Sequence, residues 1–300
     1  AHQQDGLARL VARAEGVPMY AVETVRMLAD RGVLDQDGDR YVVSGELGAE
    51  LDIPETLHAL VAARLDGLPD SERALVQDAS VAGLSFTVPA VVAVSGRDAG
   101  EVEEILRQLV RKEVLEQNTD PRSAERGQYR FVQSVIQEVA YSTLSKASRR
   151  AKHLECARWF DGLDEDELAG VVANHYLMAY RSSPSAPDAE EIAAQARSAL
   201  GTASDRALAL GSPDQALAFA VQALELSSAP EERGPFHERA ALAAVYANDP
   251  EGGLDHQLAA LAAYRAVGDL SSEARVLGSE QNIVRVSLTH HEGRFESAVL

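Results

Sequence analysis

Few side chains here stand in patterns that could do chemistry, and most are polar groups able to meet an anion. In the phrase QYRFVQSVIQEVAY, Arg130 supplies a fixed charge and Gln133 an amide. A glutamine amide can donate to phosphate, but it carries no charge and does not titrate near neutral pH. Gly16-Val17-Pro18 punctuates two helical patterns. Lys146, Arg149, Arg150 and Lys152 form the densest basic cluster. It reads first as a solvated face, with pairing to acidic neighbours or a ligand's phosphates as the functional alternative. His153 and Cys156 have a metal-compatible i, i+3 spacing, but no second ligand pair is near, so no metal site is predicted. His175, alone on its helix, reads as a packed residue, and His290-His291 as an exposed turn. There is no Gly-x-x-x-x-Gly-Lys-[Ser/Thr] loop, no strand ending in paired acids, no Gly-x-Ser-x-Gly elbow and no His-Glu-x-x-His pair. No catalytic residue is therefore assigned, and a bound nucleotide would lack the main cradle for its β- and γ-phosphates.

Composition narrows the classes further. The net charge of −19 disfavours nucleic-acid binding by bulk charge. A 46% hydrophobic content supplies real cores, and the dominance of alanine and leucine favours helices. The one cysteine, Cys156, excludes an internal disulfide and fits a reducing, cytoplasmic setting. No apolar run approaches the ~20 residues that span a bilayer, and no signal peptide is visible, so no membrane partner is expected. The missing initiator methionine and the stop inside a helical pattern lead us to expect a piece of a longer protein.

Hydrophobic spacing predicts the elements. Asp5 to Ala14 is helical, and a second helix runs Met19 to Arg31 with Tyr20, Val22, Val25, Met27 and Leu28 inward and Gly32 closing it. A small hairpin, Val33-Leu34 with Arg40 to Val43, turns at Asp37-Gly38. Pro54 to Leu65 is a helix, and Asp70 or Ser71 caps the next, Arg73 to Ala82. Then come a helix (Glu101 to Lys112), a strand (Val114 to Gln117), a polar loop (Asn118 to Gly127), a strand (Gln128 to Val132) and a helix (Gln133 to Leu144). That order is the one found in a winged helix. Glu101, Glu103 and Glu104 occupy the early exposed positions of its third helix, which disfavours a DNA partner. Another helix, Lys146 to Phe160, follows. After a helix from Glu165 to Arg181, Ser182 to Asp188 reads as a linker. Beyond it three alanine-rich hairpins are predicted: Ala189–Leu210 with Pro213–Leu226, Glu231–Ala247 with Glu251–Val267, and Leu270–His290 with Phe295–Leu300. The turns recur about every 40 residues, against ~34 in a tetratricopeptide repeat. Such an array either presents a concave groove to a peptide or protein, or serves as a spacer. The expected fold is mainly α: residues 1–53, then a winged-helix domain over 54–163, then a tetratricopeptide-like α-solenoid over 164–300, with a small β-hairpin and a β-wing.

Several phrases resemble STAND-type signalling ATPases of the AAA superfamily. EGVPMYAVETVRML looks like the C-terminal lid of their ATPase domain, where a Gly-x-Pro turn meets the adenine; the resemblance implies that role for Gly16 and Pro18. Arg64, Leu65, Asp66, Leu68 and Pro69 match the family's L-x-x-R-L-D-x-L-P segment. Arg130, Phe131, Ile136, Glu138, Val139, Ala140 and Tyr141 match its R-F-x-H-x-x-[IL]-R-E-x-[AV]-Y signature, with Gln133 where the family has a histidine aimed at the β-phosphate of ADP. The resemblance covers roughly Asp5 to Arg181 and, more loosely, the repeats. It is closest to bacterial proteins that join a class III adenylate/guanylate cyclase domain, a STAND ATPase and tetratricopeptide repeats. It implies ATP or ADP, with Mg in the parent protein, as cofactor, bound by Gly16, Pro18, Arg130 and Gln133. It implies upstream ATPase and cyclase domains and a protein or peptide on the repeats as partners, and oligomerisation. Two alternatives remain: a LuxR-type or winged-helix transcriptional regulator, and a non-catalytic repeat scaffold.

Overall fold

The computed structural model describes residues 18–30, 32–37, 40–43 and 56–278. Gly16, the helix expected over Asp5–Ala14, Pro54, and the chain beyond 278, with His290 and His291, lie outside the described residues. The described chain is mainly helical with few strands, and it divides into two compact units, Ala1–Ser145 and Lys146–Leu300.

In the first unit, α1 (Pro18–Asp30) leads to the hairpin β1 (Leu34–Asp37) and β2 (Arg40–Val43), antiparallel with Asp37 opposite Arg40. Gly32 ends α1 in the left-handed conformation, φ +67°, that glycine adopts without a Cβ clash. Helix α1 packs on α2 (Leu57–Asp66) through Tyr20, Met27, Leu28 and Leu60. Next come α3 (Asp70–Ala82), β3 (Ser85–Phe86), α4 (Val88–Ser95), α5 (Ala99–Arg111), β4 (Leu115–Gln117), β5 (Tyr129–Phe131) and α6 (Ser134–Thr143). The three strands form an antiparallel sheet in the order β3-β5-β4. The α5 stripe of Val102, Ile105, Leu106 and Leu109, with Val110 at its partly buried edge, lies on one helix face. It joins Leu75, Val91, Phe131 and Ile136 in one core.

Three local expectations are corrected. Strand β3 was not foreseen, because two residues are too short to show alternation; it is fixed by Phe86, whose ring meets Phe131 edge-on at 5.8 Å. Pro69, not Asp70 or Ser71, holds the N-cap position of α3, with no side-chain cap, while Asp70 pairs with Arg73 inside the first turn. On α1, Val22 is 45% exposed, and Glu23 and Thr24 take the buried positions.

The second unit is a run of antiparallel neighbours: α7 (Lys146–Asp161), a short 3-10 turn (Asp166–Leu168), α8 (Ala169–Ser182), α9 (Ala189–Ala209), α10 (Pro213–Leu226), α11 (Pro230–Tyr246), α12 (Pro250–Val267) and helical residues 270–278 (α13). The sequence grouped α7 with the preceding segment. In the structure its buried Leu154 and Ala157 pack against Val172 and Tyr176 of α8. Prolines at the first turns of α10, α11 and α12 fit helix starts, where no amide hydrogen is needed. Alanines at 216, 220, 223, 240, 243, 244 and 260 are fully buried, so the helices approach closely. The closest approach is at Gly234: a Cβ there would lie 2.6 Å from the Tyr264 ring. Two histidine pairs also bridge successive helices. His153 and His175 meet through Nδ1 atoms at 2.9 Å, and His237 and His256 at 3.1 Å. Burial pulls His153 down to about 3, helped by His175 and Arg149, and His175 down to about 4.

Gly234→Ala should destabilise the chain by about 1–3 kcal/mol, although alanine favours helix, because the core cannot yield around Tyr264; urea unfolding measures it. The His153–His175 pair makes a second prediction. Its folded pKa values lie below the ordinary 6.5, so the unfolded chain takes protons first. The stabilisation is complete above about pH 6.5 and falls as pH drops through the folded values, by an amount on the order of 3 kcal/mol for each ring near pH 4. Trp159, the one tryptophan, lies on α7 and reports unfolding of this unit. His153→Leu/His175→Leu should flatten that pH dependence.

Candidate functional site

The polar residues that the first unit buries together centre on one carboxylate. Glu23 is fully buried, midway along α1. Its Oε1 accepts from Arg26 Nη1 at 2.8 Å and from Gln133 Nε2 at 3.2 Å, and its Oε2 accepts from Arg64 Nη1 at 2.8 Å. Arg64 is itself buried and donates through Nη2 to the Lys112 carbonyl. Arg26 also pairs with Glu113, Nε to Oε2 at 2.7 Å. Burial lowers the Arg26 pKa, but its bonds to Glu23 and Glu113 outweigh that and leave it above its ordinary value.

Four elements thus converge: α1, α2, the turn after α5 and the start of α6. Each presents its polar group for a local reason. Glu23 falls on the inward stripe of α1, between Tyr20 and Met27–Leu28, and Arg64 falls on that of α2, between Leu60–Val61 and Leu65. Glu113 adopts φ +54°, unusual for a residue with a side chain, as the chain turns from α5 into β4. Gln133 holds the N-cap position of α6 without a side-chain cap hydrogen bond, and its Nε2 donates to Glu23 instead. Its Oε1 is buried and accepts no hydrogen bond. Two carboxylates face two guanidinium groups, so the cluster is close to neutral.

The residues singled out from the sequence divide. Gln133 is in the cluster. Pro18 is the exposed first residue of the helix that carries Glu23, about 7.5 Å along the axis from it. Arg130 goes elsewhere: it lies on the face of β5 opposite Tyr129 and Phe131, two-thirds exposed, and pairs with Glu116 of β4. Gly16 is outside the described residues. Glu23, Arg26 and Glu113 escaped the sequence reading, and Arg64 was noted only as a motif match. The available signal was an acid and a base, each on the apolar stripe of a helix. Among the described residues no three histidine, cysteine, aspartate or glutamate side chains are grouped to hold a metal. His153, considered with Cys156, instead meets His175.

Removing one member of a buried ion pair strands the other charge, at a cost of about 3–5 kcal/mol. Arg64→Ala should therefore lower the stability of the chain by that amount in urea unfolding, and Glu23→Gln/Arg64→Met by clearly less. A loss below about 1 kcal/mol for Arg64→Ala would place the cluster among ordinary surface pairs.

No family model, no curated protein and no solved structure matches this chain, so what the cluster does is argued from its own residues.

Proposed function

We propose that this chain is the regulatory part of a nucleotide-dependent signalling ATPase of the STAND type. In this reading α1 with β1 and β2 is the end of the ATPase lid. Helices α2 to α6 with the three-stranded sheet are a winged-helix domain whose wing is the 118–127 loop. Helices α8 to α12 are a tetratricopeptide-like solenoid that senses a protein or peptide. A class III cyclase domain upstream, as output, and a cytoplasmic setting extend the reading by resemblance alone.

The observation that carries it is the Gln133–Glu23 hydrogen bond. Gln133 stands where the resembled signature places a phosphate-facing histidine, and it bonds to the helix that Pro18 begins. Its position at the start of α6 is also where backbone amides and the helix dipole favour an anion. A β-phosphate arriving there would draw on the same amide that holds α1. Nucleotide and lid contact would then share one donor, and any ligand that treats the two states differently would shift the balance between them.

A DNA-binding reading draws no support from α5. Its exposed Glu104 already takes up Arg107 at 2.8 Å and Arg111 at 3.6 Å, and Glu101 takes up Arg97 at 2.7 Å.

Fluorescent ADP and ATP titrated onto the chain alone should show no saturable binding below millimolar concentration, because no phosphate loop is present. In the parent protein with its ATPase core, Gln133→Ala should weaken ADP about tenfold or more, as expected for a hydrogen bond to a charged group. Unchanged ADP affinity in that variant would remove the nucleotide from this site and favour a repeat scaffold.

A further inference from the structure

The buried cluster of the first unit is a chain of alternating charges whose ends and middle belong to different elements. Arg64 on α2 bonds Glu23 on α1, Glu23 bonds Arg26 on the same helix, and Arg26 bonds Glu113 in the turn after α5. If α1 leaves, the two middle members leave together. The two ends, a guanidinium and a carboxylate, stay on the body formed by α2 to α6. Helix α1 is lightly anchored: its apolar contact is Tyr20, Met27 and Leu28 on Leu60, whereas α2 to α6 share one large core. An element held in this way opens locally, short of global unfolding.

The second observation is the residue type at position 113. The amides of Glu113 and Val114 bond back to the Val110 and Leu109 carbonyls, which closes α5 in the way that helices end on a left-handed glycine. Glycine fills the left-handed position after α1 and α4, at Gly32 and Gly96. A side chain at φ +54° costs free energy that glycine would not. The bond to Arg26 offsets that poorly, because the Glu113 side chain is 60% exposed and open pairs contribute little. Beside it lies Arg64, whose side chain is 3% exposed and whose Nη2 donates to the carbonyl of Lys112, the residue just before Glu113. Rotation of the Glu113 side chain about its own bonds can therefore bring its carboxylate to that guanidinium. Lys112 and Glu72 hold each other at 2.7 Å and do not compete.

We propose that Glu113 exchanges partners: it holds Arg26 while α1 is docked and takes Arg64 when α1 leaves. Departure of α1 removes the Glu23 carboxylate from a guanidinium that α2 keeps among Leu60, Val61 and Leu65. Depriving a guanidinium of its carboxylate in such a place is costly, and that cost by itself would keep α1 shut. Glu113 lowers it, and the body has matched charge with α1 on or off. One side chain thus serves the open form as well as the closed one, which makes α1 a two-state element. The exchange concerns the contact of α1 that the nucleotide reading invokes, but no nucleotide enters it, so either can fail while the other stands.

The test is native-state hydrogen exchange of the α1 amides, read by NMR on the 300-residue chain without ligand. These amides should exchange faster than those of α5, through an opening of α1 on its own. Glu113→Gln should slow them about fivefold or more, because it removes a charge that the open form needs more than the closed one. A simple surface latch gives the opposite sign, since loss of the Arg26 pair would speed exchange. In the Glu23→Gln/Arg64→Met background, which has no guanidinium to take up, Glu113→Gln should no longer slow exchange. Faster or unchanged exchange in Glu113→Gln, the same slowing in the Glu23→Gln/Arg64→Met background, or α1 amides that exchange no faster than those of α5 would each overturn the proposal.

Discussion

A carboxylate buried in a protein interior must be matched group for group, and Glu23 sets that condition for the first unit. Both its oxygens are engaged, by donors from α1, α2 and the start of α6. None of these three elements can shift without stranding a charge or an amide in a medium that solvates neither. The apolar contacts of Tyr20, Met27, Leu28 and Leu60 press α1 onto α2, but such contacts tolerate sliding. The ion cluster selects one arrangement. Glu113 shows the same demand on the backbone: a left-handed residue is accepted where it brings a carboxylate to Arg26 and the preceding carbonyl faces Arg64.

The second unit is built on the opposite economy. Its helices are held by small side chains rather than by charge, and the alanines that line α10, α11 and α12 let backbones approach to distances that a larger residue would block. Close packing of this kind leaves little slack. A half-open cavity of about 330 Å³, lined in part by Phe160, Tyr176 and Thr202, lies where the short 3-10 turn carries the chain from α7 to α8.

Much of this was legible from residue order alone. The α5 stripe, the boundaries of α10, and the turns at Gly211 and Asn248, both with positive φ, followed from spacing and turn chemistry. Gln133 could be named as a site residue because a phrase around it was distinctive. What stayed hidden depends on pairing across the chain. Glu23 and Arg64 are separated by forty-one positions, and no local rule couples them. Val22 read as inward because hydrophobicity was weighed without asking where the buried charges would go. The histidine pairs are hidden for the same reason: His153 and His175 look solitary until two helices are laid side by side.

The contrast between the two units has a consequence for ionic strength. Added salt screens charges that water can reach and scarcely touches those it cannot. The Arg239–Asp205 and Arg181–Glu225 pairs, which tie alternate helices (α11 to α9 and α8 to α10), are open to solvent, so their contribution fades as ions are added. The Glu23–Arg64 pair is closed to solvent and keeps its strength. In a cell whose salt content fluctuates, the ion pairs between repeat helices would weaken and strengthen by small steps while the junction of α1 with α2 stays set.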